Sequence, residues 1–434
     1  MKKITLISIV FICLIGNLNA QQEKGIIGYN NWLNPWTEFK PNKIHYGTPT
    51  QILSGTITED TKLDKSNIYL LLGDVFVTDS TTLSIEAGTV IIGDFKTKGS
   101  LIISKGSTIL ANGTKTDPIV FTSSRSVKKP GDWGGIFILG DAPTNKLGSE
   151  SFINFGLSVN NTEAINYGGN DPESDSGIFK YVRIEYAGKR TKSFGYFNGL
   201  TLAGVGQNTI LENIMVSYCE GNSFCILGGD VILDKLVSYK SNINDYKFNY
   251  GTQSRIYNSL AIKSPYVSGA DTSRCMYVLG YDEIETANPS EKQTSVDAQN
   301  LTLINISDDL SYDIKIGLVN EAIYVGKDAT FSIDKSVISG FNPAAILDNK
   351  IKLNNENLER INFTSTYFNN CKGNIFKKNF SNNDDLENWY GNSAFSNVYS
   401  KGPDSETFIN SNNIRKPDYR LKINGIIAST DDDD

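Results

Sequence analysis

Apolar positions crowd residues 83–124 in short β-branched runs separated by turns. Leu83-Ser-Ile-Glu-Ala-Gly-Thr-Val-Ile-Ile-Gly93 is followed by Ser100-Leu-Ile-Ile-Ser-Lys-Gly-Ser-Thr-Ile-Leu-Ala-Asn-Gly113 and then by Pro118-Ile-Val-Phe-Thr-Ser-Ser124. The phrases return about every 17–18 residues, and one such turn of chain cannot bury its apolar side until the next stacks on it. A second beat follows in Tyr181-Val-Arg-Ile-Glu-Tyr186, Asn213-Ile-Met-Val-Ser-Tyr218, Asp234-Lys-Leu-Val-Ser-Tyr239 and Asn258-Ser-Leu-Ala-Ile-Lys263. Alternate residues in each run are mostly apolar, as a strand with one buried face requires. Runs at 301–306, 331–338 and 361–366 keep the beat more loosely. The pattern predicts an all-β chain: a single-stranded right-handed parallel β-helix with an N-terminal cap and loop insertions. No helix is predicted. Roughly a dozen coils at about 4.8 Å each make a rod about 55–65 Å long.

The rhythm also sets boundaries. Residues 1–20 read as an export signal, with Lys2 and Lys3 before an apolar stretch and a small-residue exit at Ala20. That stretch is shorter than the roughly 20 residues of a bilayer span, and no other stretch predicts one. Cys13 lacks the preceding small residue of a lipoprotein site, so no lipid anchor is expected. Residues 21–53, with Trp32, Trp36, Pro35, Pro41 and Pro49, read as a leader folding over the first coil as a cap; a Trp-lined ligand platform is the alternative. The β-helix is expected over 54–370. Within it the run at 67–77 bends at Gly73, Trp133 is expected to roof a corner, and 141–178 and 280–300 read as polar loops. Residues 371–434 read as a C-terminal cap or tail, ending in a solvated Asp431–Asp434 run.

The formal charge of −7 argues against nucleic acid, which calls for a basic face. Tyr (21) and Phe (21) far outnumber Met (3) and His (1), a balance suited to strands. Export permits disulfides, and Cys219 and Cys225 are the nearest pair; both a bridge and two buried thiols stay open.

Pro130-Gly-Asp-Trp-Gly-Gly-Ile-Phe-Ile-Leu-Gly-Asp-Ala-Pro-Thr-Asn145 resembles a group of exported parallel β-helix proteins of Bacteroidota, often mislabelled as multidrug transporters. The resemblance continues through Tyr167-Gly-Gly-Asn-Asp-Pro172, Lys180-Tyr-Val-Arg-Ile-Glu-Tyr-Ala-Gly188 and Asn198-Gly-Leu-Thr-Leu-Ala-Gly-Val-Gly206, and covers about residues 54–245. It implies a secreted or surface-exposed scaffold and carries over no catalytic residue. Relatives of that group have a run of aspartates where this chain reads Ser241-Asn-Ile-Asn-Asp-Tyr-Lys-Phe248, so a cation site resting on that run is expected to be lost here.

The chemistry-bearing residues are few. His45, the sole histidine, falls in the leader, which excludes a Ser-His-Asp relay and a multi-histidine metal centre. Glu185, Glu212 and Asp234 are candidates for acid-only hydrolysis, but strand carboxylates usually sit on a solvated face, and the sequence shows neither a hydrolase-type set of acid motifs nor a lyase-type arginine beside a calcium-binding aspartate cluster. Asp171, Glu173 and Asp175 alternate beside glycines and supply hard oxygens with turn freedom, a candidate Ca²⁺ site. Phe194, Tyr196 and Phe197, and Tyr246, Phe248 and Tyr250, are aromatic clusters suited either to stacking on sugars or to buried ring ladders.

The expected function is accordingly a non-catalytic scaffold at the cell surface, outer-membrane-associated or extracellular, binding another protein such as an outer-membrane β-barrel complex. No enzyme is expected, and no cofactor beyond the Ca²⁺ candidate. The alternatives are a polysaccharide-binding or polysaccharide-cleaving protein, for which a groove lined by Arg183, Arg190 and exposed tyrosines is the structural sign, and a surface adhesin.

Overall fold

Stacked rungs form the whole body of the chain in the computed structural model, which describes residues 24–148, 151–153, 162–192, 194–267, 273–282, 284–380 and 382–422. The expected export signal (1–20) and the Asp431–Asp434 run lie outside the described residues.

Each coil lays one strand on each of three parallel sheets. The first sheet stacks Thr61–Leu63, Thr82–Ile85 and Thr108–Asn112 and continues to Ile361–Thr364. The second has twelve rungs among the described residues, from the start of Gln51–Ile57 to Val398–Ser400. The third runs from the end of Gln51–Ile57 to Ile375–Lys377. Twelve rungs at about 4.8 Å give a rod roughly 50–55 Å long. The fold is the predicted parallel β-helix, and the strong preference for right-handed crossovers gives its hand.

The second beat of the sequence has a backbone cause. The corner between the first and second sheets turns, coil after coil, on one residue of positive φ: Tyr181, Asn213, Lys235, Asn258, Asn300, Lys335 and Ser365, all at 45–57°. Asn suits that left-handed conformation, and one residue per corner keeps the coils in register. Each phrase starts at or beside its corner and runs on through the second sheet. Inside, one apolar cluster extends from Leu53 to Tyr390. Trp133 belongs to it, 1 % exposed and stacked on Phe121 at 6.2 Å, rather than roofing a corner from outside. A Cβ on Gly93 would meet the Trp133 ring at 2.6 Å, so the indole needs that glycine.

The leader does not close the first coil. It runs as a strap along the outer face of the second sheet, against the order of the coils. Gly25 N–H donates to Lys335 O (2.8 Å), Ile26 N–H to Thr302 Oγ1 (2.9 Å), Ile27 N–H to Asn258 Oδ1 (2.8 Å) and Thr50 N–H to Ile68 O (2.8 Å). Ile26, Leu33, Trp36 and Phe39 are buried there against Met215, Val237, Tyr239, Leu260 and Ile262. The physical reason is in the second sheet's outward positions, which are apolar and need covering. The C-terminal hairpin of Phe408–Asn410 and Asp418–Leu421 joins the same cluster, and Arg420 donates to Gly28 O at 2.7 Å.

Helices do occur, short and outside the ladder. Leu310–Lys315 and Asn355–Glu359 lie in connections, started by the Asp309 and Asn354 side chains. Asp384–Tyr390 adds Leu386 and Tyr390 to the last coil of the interior. Cys219 faces the interior and Cys225 the outer side of the third sheet; both thiols are free, as are Cys275 and Cys371. Among the described residues no helix is long and apolar enough to cross a membrane.

Candidate functional site

Outward positions of the third sheet form a row along the rod: Phe137, Thr201, Cys225, Lys247, Tyr277 and Tyr324, register partners on successive rungs. Towards the first coils this face is sealed. Ile153, Ala164, Ile165 and Tyr167 from the long polar loop, with Phe197, pack on Phe76, Ile102, Phe137 and Leu139. Past that seal the row opens into a cleft of roughly 710 Å³ floored by Cys225, Leu227 and Lys247. That volume lies within the usual range for ligand pockets, about 300–1,000 Å³.

Three connections wall the cleft. The hairpin of Arg190–Thr191 and Gly195–Tyr196 brings Phe194 and Tyr196 to its rim, with the Arg190 guanidinium 5.1 Å over the Tyr196 ring. Residues 145–148, 280–282 and 284–288 form the other side, joined by Leu147 N–H to Thr286 O (2.9 Å) and Asn288 N–H to Asn145 O (2.7 Å). Asn145 is the knot: fully buried, it donates through Nδ2 to Gly280 O (3.0 Å) and through its backbone N–H to Tyr250 O (3.0 Å). Gly251 follows at φ +80°, where a Cβ would press on Lys292 O at 2.6 Å.

Charge gathers at one point of the floor. Lys247 Nζ lies 3.2 and 3.4 Å from the two oxygens of Asp282, and the Tyr250 hydroxyl donates to Asp282 Oδ2 at 3.2 Å. Lys146 Nζ sits 4.6 Å over the Tyr250 ring. Burial opposes the charge on Lys247, but the adjoining Asp282 carboxylate outweighs it and holds the amine above its ordinary value. Burial pushes the Cys225 thiol up to about 12, so it stays protonated. An asparagine ladder backs the corner: Asn244 Nδ2 donates to Asn222 Oδ1 (2.8 Å), and Asn222 Nδ2 to Asn198 Oδ1 (2.7 Å). A cation pair, a phenol and a carboxylate in one half-closed cleft suit the binding of an anionic group and proton transfer beside it.

The residues singled out from sequence are scattered. Asp171, Glu173 and Asp175 do not converge: Asp171 accepts from Glu173 N–H (3.0 Å), Asp175 from Gly177 N–H (2.7 Å), and Glu173 from Gln207 Nε2 (3.3 Å). Among the described residues no three potential ligands gather for a metal, and only Asp171 and Asp175 accept from backbone N–H groups two positions on, as turn-makers do. Glu185 is buried beneath the strap, taking a hydrogen bond from Tyr46 (3.2 Å). Glu212 and Asp234 neighbour each other on the first sheet, paired with Lys180 and Lys235. Arg183 is no groove residue; the strap's Tyr46 covers it and accepts its Nη2 at 2.7 Å. His45 is exposed in the strap. Phe194, Tyr196 and Tyr250 do reach the cleft, with Arg190 behind them over the Tyr196 ring, while Tyr246 and Phe248 point into the core. Nothing in the sequence pattern singles out Lys247, Lys146, Asp282 or Asn145 as site residues, since only the folded loops bring them together.

Fold and cleft together define a parallel β-helix with a polar, aromatic-rimmed groove on one sheet. The chain belongs to the family of pectate-lyase-like β-helix domains, which it matches over residues 55–409. This membership corrects the expectation of a non-enzyme, which rested on the lack of a histidine relay, of clustered paired acids and of a lyase-type arginine beside a calcium-binding aspartate cluster. No curated protein matches the chain. Among solved structures, an alginate lyase from Paenibacillus sp. is similar with a TM-score of 0.22 and 9% identity, over 74% of this chain and 91% of that one.

Proposed function

We propose that the third-sheet cleft binds an acidic polysaccharide and cleaves it by β-elimination. The carrying observation is the convergence of Lys146, Lys247, Tyr250 and Asp282 on the floor and wall of one cleft in a pectate-lyase-like chain. Tyr196 and Phe194 stack on sugar faces, and the two lysines neutralise the uronate carboxylate, which acidifies the proton on the adjoining carbon. The Asp282 carboxylate takes that proton, and the Tyr250 hydroxyl beside it donates one to the departing glycosidic oxygen. The carbon–oxygen bond breaks and a carbon–carbon double bond forms beside the carboxylate. Between the readings left open by the sequence, cleft and family favour a polysaccharide over a scaffold on a protein complex. The leader-like residues 1–20 support export to the cell surface or beyond, where such polymers are met.

Incubation with a panel of uronate polymers tests this. The expected result is growth of the ultraviolet absorbance of the unsaturated uronate with at least one polymer, lost in Lys247→Met. No product and no binding across the panel overturns the reading.

A further inference from the structure

A second cluster of reactive side chains lies inside the rod, away from the cleft. Lys263 ends the strand Leu260–Lys263 of the second sheet and turns inward, its side chain 5% exposed. Its Nζ stands 3.9 Å from Oδ1 of Asp245, whose side chain is wholly buried on the preceding coil. The two residues belong to neighbouring coils because Ser238 and Ala261 are register partners, and Asp245 N–H donates to Arg274 O at 2.9 Å. Oδ1 of Asp245 accepts from the Ser238 hydroxyl and from that of Ser241 at 2.8 Å. Oδ2 has no hydrogen-bond partner. Lys263 Nζ is aimed by Ser241 O (3.1 Å), Ser241 Oγ (3.2 Å) and Ile243 O.

A buried ion pair with one orphaned carboxylate oxygen is a costly arrangement, because both desolvation penalties stand and one lone-pair set goes unmet. A chemical exit lies within reach. We propose that Lys263 and Asp245 condense to an amide between Nζ and Cγ, a covalent staple between adjacent coils.

The balance needs no outside reagent. The amine lone pair attacks Cγ, and the Ser238 and Ser241 hydroxyls stabilise the charge growing on Oδ1. Oδ2 departs as water, carrying the carboxyl proton and one proton that comes, in net terms, from the amine. The buried Cys275 thiol beside this carboxyl is pushed well above its ordinary value by burial and stays a neutral neighbour of the reacting pair. Burial readies both partners: it pushes the Asp245 carboxyl up, against the pull of Lys263, and the Lys263 amine down, against the pull of Asp245. Each is thereby shifted towards the neutral form that condensation needs. The remaining amide N–H keeps one of the carbonyl partners that now hold Nζ. With the four described cysteines unbridged, this amide would be a cross-link indifferent to reductant.

Mass spectrometry of the full, denatured chain decides it. The expected mass is one water below that calculated from the sequenced N-terminus. Tryptic digestion should leave the chain uncut after Lys263 and yield a peptide linking residues 245 and 263. Lys263→Met and Asp245→Ala should each restore the full mass. A wild-type chain at full mass, or one whose water loss maps elsewhere, overturns the proposal; should a variant fail to fold, the wild-type peptide map decides alone.

Discussion

Removing the Trp36 side chain tests how the outer face of the second sheet is kept dry. Trp36 is fully buried, edge-on to the Tyr181 ring at 5.8 Å and stacked with Trp32 at 6.4 Å, and its Nε1–H donates to Trp32 O at 2.9 Å. Truncation of a buried Trp to Ala costs about 3–5 kcal/mol. The coil interior does not depend on this contact, so the loss falls on strap docking: the strap's opening equilibrium shifts by roughly hundreds- to thousands-fold at about 1.4 kcal/mol per factor of ten. In Trp36→Ala, amide exchange should accelerate by that order across residues 25–39, with smaller gains in the second-sheet strands beneath. Strands of the first sheet should exchange as before. Limited proteolysis should nick the variant first within the strap. Unchanged strap protection would refute the reasoning, for it would mean that the backbone bonds to Lys335, Thr302 and Asn258 hold the strap unaided.

Phe179→Ala should cost about 3–5 kcal/mol, read as a lower thermal midpoint, because its ring is fully enclosed beside Phe121 at 6.4 Å. Lys247→Met should weaken binding of an oligouronate about 10- to 100-fold by calorimetry, the worth of one charge-assisted contact. Its thermal midpoint should move little, since Asp282 keeps 38% of its side chain in water. Glu212 carries the pH prediction. Burial pushes its carboxyl up, but Lys180 and Lys235 outweigh that and leave it below its ordinary value of 4.5. Its contribution to stability is therefore present above pH 4.5 and lost as pH falls through the depressed value. Glu212→Gln should flatten the acid limb of the stability curve by about 1 kcal/mol or less.

The ladder was legible because stacking forces a repeating apolar phrase, and the corner residues Asn213 and Asn258 open that phrase for a backbone reason. The strap was misplaced for a different reason. Nothing in Trp32 and Trp36 says which face they cover, whereas the outward Met215, Val237 and Leu260 of the second sheet do, once inward and outward positions are separated. Arg183 looked like a groove residue for the same cause: its strand position was readable, its cover was not. At the cleft, Arg190, Tyr196 and Tyr250 could be picked out as aromatic and basic loop residues. Their meeting with Lys146 and Asp282 depends on two loops more than 100 positions apart, joined through Asn145. The acids at 171 and 175 misled because turn-making and cation-binding use the same residues at the same spacing.

The central claim is that the third-sheet cleft is where polymer is held. Amide exchange of the full chain with and without a saturating oligouronate tests it most directly. Protection is predicted at residues 194–198, 222–227 and 246–250, with the strap and the first sheet unaffected. Protection confined to the first sheet, or none while the oligosaccharide is bound, would contradict it.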